Sequence, residues 1–238
     1  MSKLQNKAID MTRGGIVRNL ALFSLPLLAG NLFQQLYNMV DTWVIGQTGV
    51  PAAYAAVGSI APIINILIGF FLGLATGAGV IISQYFGAKD DENLHRSVRT
   101  ALTLTLLLSV FVAVAGVLGA PLMLRLMLGG EESEVFEHAK TYLTIYFAGV
   151  GGLMVYNMGS GILRAVGDSR RPFLFLVIAA LVNTALDLVF VFGFHMGVAG
   201  VALATVIAQF VSAGLTLLVL LRATTAIRVS WRDLKLDR

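Results

Sequence analysis

Asp41 and Asp187 each lie inside a long apolar stretch of the chain. An ionisable group at membrane depth costs roughly 2.5–3.5 kcal/mol on insertion scales, and where one persists it commonly serves a moving charge. Asp41 closes a stripe that starts at Asn31 and runs through Gln34 and Asn38. Offsets of 0, 3, 7 and 10 put all four on one helical face. Asn183 and Asp187 form an i, i+4 pair further along the chain. Thr205, Gln209, Ser212 and Thr216, at offsets 0, 4, 7 and 11, make a third polar stripe. Tyr142, Tyr146 and Asn157 fall on a broad common face of another helix.

Polar stripes of this kind are not expected to face lipid; they line a cavity or a neighbouring helix. Amides and hydroxyls alone would serve as interhelical hydrogen-bond glue, but a carboxylate needs more. Two carboxylates, an amide oxygen and a hydroxyl are hard oxygen ligands that suit a cation such as Na⁺. They suit protons equally well. In either case occupancy removes negative charge from a low-dielectric site and gives the protein two electrostatic states. A ligand drives a switch between conformations only if it binds one of them better.

The elements that must carry these residues are membrane helices. Hydrophobic residues make up 57% of the 238 and charged residues 13%, with a mean hydropathy of +0.83. Soluble domains carry about 25% charge. Spans of about 20 apolar residues are expected at 19–45, 53–85, 98–120, 140–163, 172–193 and 198–221, with Gly or Pro at every junction. The expected architecture is all-α, a polytopic bundle of six transmembrane helices. Residues 1–18 form an amphipathic amino-terminal segment, 19–222 the membrane lobe, and 223–238 an amphipathic tail. Fifteen Lys and Arg fall on the side of both termini and two, Arg125 and Lys140, on the other. The positive-inside rule then places both termini in the cytoplasm of a multi-pass cell (inner) membrane protein. Pro26 and Pro62 lie inside the first two spans and predict kinks. Gly69, Gly73 and Gly77 form a small-xxx-small face expected to pack against another helix.

The same distribution accounts for a pI near 9.6 without a nucleic-acid partner. There is no cysteine, hence no disulfide or thiolate metal site. His95, His138 and His195 lack metal-ligand spacing, and no nucleotide-binding or serine-hydrolase motif follows a strand. An enzyme is not expected, nor an organic cofactor.

The residues resemble the amino-terminal half of a multidrug and toxic compound extrusion (MATE) transporter over nearly the whole chain. The resemblance runs through Leu25-Pro26, Asn31 to Thr42, Gly77-Ala78-Gly79 and Gln84-Tyr85-Phe86-Gly87-Ala88. It continues in Gly161 to Asp168, which is similar to the family's Arg-x-x-Gly-Asp signature, in Asn183 to Asp187, and in Gly197 to Thr205. It implies a cation site at Asp41, Asn183, Asp187 and Thr205, coupled to H⁺ or Na⁺. It implies a substrate cavity near Gln34, Asn38, Tyr142, Tyr146 and Asn157, and a role for Pro26 in bending the first helix. The function it implies is cation/drug antiport by alternating access, exporting amphipathic and often cationic small molecules. The family has two six-helix lobes and this chain supplies one, so a second lobe or a second copy in a homodimer is the expected partner. The alternatives are a flippase-like carrier of lipid-linked oligosaccharides, or a half-transporter that acts as an assembly module and is inactive alone.

Overall fold

The computed structural model describes residues 16–128, 133–223 and 227. Most of the predicted amino-terminal segment and of the predicted tail lies outside the described residues. Those described form seven α-helices: α1 (Ile16–Gly46), α2 (Pro51–Ala88), α3 (Asp91–Leu128), α4 (Glu134–Ala148), α5 (Val150–Ala165), α6 (Arg170–Asp187) and α7 (Gly197–Leu221). A π-helical turn, Leu188–Gly193, continues α6. The result is an all-helical membrane bundle. Four segments are long and apolar enough to cross a bilayer: α2, α3, α6 with its π turn, and α7.

Boundaries differ from the apolar counts for physical reasons. The span expected at 98–120 extends over Asp91–Leu128. Asp91 and Glu92 occupy its first turn and Arg125 its last, where they complement the helix dipole. Charged ends lengthen a helix beyond its apolar stretch.

The span expected at 140–163 is two helices that meet at Gly149, with φ −96° and ψ 2°. A Cβ at Gly149 would collide with the Val206 side chain, and one at Gly152 would lie 3.0 Å from the Phe210 backbone nitrogen. Thus α7 passes too close for any side chain there.

Close helix contacts fall on α5 rather than on the glycine face predicted for α2. A Cβ at Gly159 would collide with Thr216, and one at Gly161 would lie 2.8 Å from the Ala75 carbonyl oxygen. Gly69, Gly73 and Gly77 have nothing within 4 Å of a built Cβ. They line an open groove of about 640 Å³ with Ala101, Leu104 and Met158. Small-residue spacing reports that a close approach is possible, whereas the approach within this chain is made by α5. That helix packs against α2, α3 and α7, while α6 packs against α1 and α7.

Two turns share one design. Lys89 N–H donates to the Phe86 carbonyl and Asp90 N–H to Tyr85, closing α2 in a Schellman motif. Gly167 and Asp168 make the same pair of bonds to Arg164 and Leu163 at the end of α5. In each case the next aspartate turns back to cap the helix after it. Asp90 Oδ1 accepts from Asn93 N–H at 3.1 Å, and Asp168 Oδ1 accepts from Arg171 N–H at 3.1 Å. Arg171 Nε also stands 3.4 Å from Asp168 Oδ2. The left-handed position is held by Gly167 (φ 86°) in one turn and by Lys89 (φ 58°) in the other. This geometry fixes where α6, and with it Asn183 and Asp187, enters the bundle.

Candidate functional site

Asp41 lies five residues before the end of α1, Asp187 is the last residue of α6, and Thr205 is eight residues into α7. At 1.5 Å per residue, Asp41 and Thr205 sit about 8 and 12 Å from those helix ends. All three therefore gather toward the end of the bundle that carries the α1–α2 turn.

The side chains meet there. Thr205 Oγ1 donates to Asp41 Oδ2 at 3.1 Å, and Asn183 Nδ2 stands 3.5 Å from the same hydroxyl as a donor. Asp187 stands against Asp41. Burial is near complete: Asp187 is 0% exposed, Asn183 1%, Thr205 3% and Asp41 5%. Thr205 has a second acceptor in the Val201 carbonyl at 3.0 Å. Its single proton can therefore serve either the carboxylate or its own helix.

Acceptors exceed donors. Asp41 Oδ1, both Asp187 oxygens, Asn183 Oδ1 and Gln209 Oε1 are buried and have no hydrogen-bond partner among the described residues. A buried acceptor left unmet costs about 1–3 kcal/mol, and more if charged. Two carboxyls side by side also repel if both are ionised. The arrangement fits a positively charged guest, either a proton shared by the acids or a hard cation collecting the free oxygens. Among the described residues no group of three or more His, Cys, Asp and Glu is placed to bind a metal ion. The oxygen set here is instead two carboxylates with an amide and a hydroxyl.

The local fold explains why Asp187 can stand here. The α-helix ends on this residue and widens at once into the π turn, whose extra residue re-aims the backbone beyond it. Gly200 at the start of α7 lies against that turn; a Cβ there would come within 3.0 Å of Phe190 Cβ.

The residues expected around a substrate cavity divide. Gln34 and Asn157 line a small cavity of about 30 Å³ together with Asn183 and Thr205. Asn157 also donates to its own helix at Leu153, 2.9 Å away. Tyr142 and Tyr146 are stacked, with ring centroids 6.1 Å apart, and are buried in the core beneath Asp41. Tyr142 lies next to Thr205. Asn38, like Asn31, is exposed on α1 and does not join the buried cluster. The stripe on α1 is thus split between an inward pair, Gln34 and Asp41, and an outward pair. Pro26 lies within a continuous α1, more than three turns before Asp41.

Tyr37, Tyr156 and Gln209 join the expected residues in the cavity wall. Tyr37 is four residues before Asp41 and three after Gln34. It belongs to the inward face and contributes to the cavity wall. Its position was readable from spacing once aromatics are counted with amides. Tyr156 donates to the Pro172 carbonyl at 3.1 Å and closes the far end. Gln209 is one turn beyond Thr205, with its Nε2 3.5 Å from the Tyr146 hydroxyl.

The sequence model of the MatE family matches residues 26–189. A probable multidrug resistance protein of Bacillus subtilis, YpnP, is 35% identical over 204 residues, covering 85% of this chain and 45% of the relative. A second from the same organism, YoeA, is 35% identical over 215 residues, covering 89% and 46%. A crystal structure of a MATE transporter in a bent conformation superposes with a TM-score of 0.88 and 28% identity. The match covers all of this chain and 52% of that one. The chain thus spans about half the length of the relatives it matches.

Proposed function

Because this chain belongs to the MatE family of transporters, we propose that it supplies one lobe of a cation-coupled exporter of small molecules. The observation that carries this reading is the convergence of Asp41, Asp187, Asn183 and Thr205, which leaves buried oxygens unmet. Buried carboxylates with no compensating donor are stable only with a positive guest. A guest that comes and goes changes the charge of the lobe's interior and so the relative stability of its conformations.

Each residue has a part. Asp41 and Asp187 carry the charge that the coupling ion, H⁺ or Na⁺, neutralises. Thr205 and Asn183 position Asp41 and add neutral oxygens. When Asp41 is neutralised, the Thr205 proton is free to turn to Val201, which loosens α7 from α1. Gln34, Tyr37 and Asn157 line the adjoining cavity, which at about 30 Å³ has room for water, and become polar contacts for cargo when the lobe opens. Multidrug resistance proteins among the relatives support an amphipathic small molecule as that cargo.

Six membrane crossings result if α1 and the broken α4–α5 pair each span once, in addition to the four apolar segments. The bias of fifteen basic residues to two then places the α2–α3 and α5–α6 turns in the cytoplasm, with both termini, and the acid pair in the outer half of the cell membrane. The exposed apolar face of α1, including Leu25, Leu28, Leu32 and Leu36, faces a second lobe or a second copy across the transport cleft.

The test is efflux of a cationic amphipathic dye from vesicles reconstituted with the chain under imposed H⁺ or Na⁺ gradients. Efflux should follow one of the gradients and fall to background in Asp41→Asn and Asp187→Asn proteins that still insert and fold. Efflux that ignores both gradients, or that survives both substitutions, rejects the reading.

A further inference from the structure

We propose that Gln209 is a positioning residue for a bound Na⁺, acting through one water in the cavity that it shares with Asn183 and Thr205, the neutral partners of the acid pair. This rests on the cation-site reading above and adds a residue to it.

Three observations meet at Gln209. The residue is 8% exposed, yet its Oε1 has no hydrogen-bond partner among the described residues. Its other end is anchored, with Nε2 directed at the Tyr146 hydroxyl, so the carbonyl end is left facing the cavity. That cavity, about 30 Å³, also reaches Asn183 and Thr205, two neighbours of Asp41. A volume of roughly 10–15 Å³ on this measure holds one water, provided it has two to four polar partners. Gln209 Oε1 and Asn183 Oδ1 both offer an acceptor, and Tyr37 and Ser212 share the wall.

The position along α7 gives the group its role. Gln209 is one turn, about 6 Å, inward of Thr205 and stands at the middle of the helix. Ser212 and Thr216 spend their hydroxyl protons on their own helix, at 2.8 Å to Gln209 O and Ser212 O. Among these residues of the α7 stripe, Gln209 keeps an oxygen unspent. A carboxyl needs no further ligand to hold a proton. A metal cation collects several oxygens, so an extra carbonyl reached through water matters to Na⁺ and little to H⁺.

Thermal melting of the purified chain in detergent, titrated with NaCl against a choline chloride control at constant ionic strength, tests this. A ligand that binds the native state raises the melting temperature in proportion to RT ln(1 + [L]/Kd), so the titration gives the half-saturating Na⁺ concentration. The expected result is saturable stabilisation by Na⁺ in the wild type and none in Asp41→Asn. In Gln209→Met, which keeps the shape but loses the oxygen, the half-saturating concentration should rise about tenfold. Gln209→Glu, which keeps an oxygen in place, should stay within twofold of wild type or tighten. Equal Na⁺ dependence in wild type and Gln209→Met overturns the inference and leaves the acid-pair site standing. So does equal weakening in both Gln209 variants, which would make the residue merely structural. A wild type with no response to Na⁺ overturns the inference too, and dye efflux driven by a proton gradient then decides the cation site separately. Equal Na⁺ responses in wild type and Asp41→Asn overturn both.

Discussion

Thr205 Oγ1 lies 3.1 Å from Asp41 Oδ2, a hydrogen bond that joins residues 164 apart in sequence. It links α7 to α1, which otherwise packs mainly on α6. The bond also satisfies one oxygen of a buried carboxylate whose other oxygen, Oδ1, has no hydrogen-bond partner among the described residues.

Removing that donor should be felt at the cation site. A hydrogen bond to a charged group contributes about 1.5–3 kcal/mol, which corresponds to roughly tenfold or more in an equilibrium constant. Thr205→Val should weaken the cation response of melting and of efflux by about that factor, whereas Thr205→Ser, which keeps the hydroxyl, should stay close to wild type. A loss in Thr205→Ser as large as in Thr205→Val would contradict a role carried by the hydroxyl.

The glycines separate by place. Gly161→Ala puts a Cβ 2.8 Å from the Ala75 backbone oxygen, where nothing flexible can yield. Overpacking of this kind costs about 1–3 kcal/mol. Gly73→Ala meets open space. In detergent melts of the chain, Gly161→Ala should lower the transition temperature, whereas Gly73→Ala should leave it unchanged or raise it slightly, since alanine is the better helix former.

The α2–α3 turn offers a stabilising change and a pH signature. Lys89 holds a left-handed conformation that costs an ordinary residue roughly 1–2 kcal/mol and glycine little. Lys89→Gly should raise the melting temperature. Next to it, the Asn93 side chain and backbone N–H hold the Asp90 carboxylate below its usual range. A lowered folded-state value means that Asp90 stabilises the fold above its unfolded pKa of about 3.9, and that this is lost as pH falls through the folded value. Asp90→Ala should therefore destabilise at neutral pH and converge on wild type at strongly acid pH. A constant difference across that range would contradict the capping role.

Much of this was legible in the sequence. Apolar stretches and Gly/Pro punctuation located the helices, and ionisable residues out of place located the acid pair. Polar spacing put Asn183 with Asp187, and Thr205 at the head of its stripe. What spacing cannot show is which face of a helix is occupied. Asn38 shares the face of Asp41 by angle but stands exposed on α1, whereas Asp41 is buried. Gly69, Gly73 and Gly77 have ideal spacing for a close contact, yet α5 makes its own through Gly159 and Gly161. The break at Gly149 was hidden because two short helices in line have the same composition as one long one. Tyr37 carries no such signal on its own, since a tyrosine in a membrane helix serves packing as readily as a site.

The most direct test of the account is the binding stoichiometry of the coupling ion to the purified chain. Tracer Na⁺ is counted at equilibrium. The account predicts one ion per chain in the wild type and none in Asp41→Asn or Asp187→Asn, since neither acid alone completes the site. Unchanged binding in both variants, or two independent ions each lost with one acid, would contradict a single shared site.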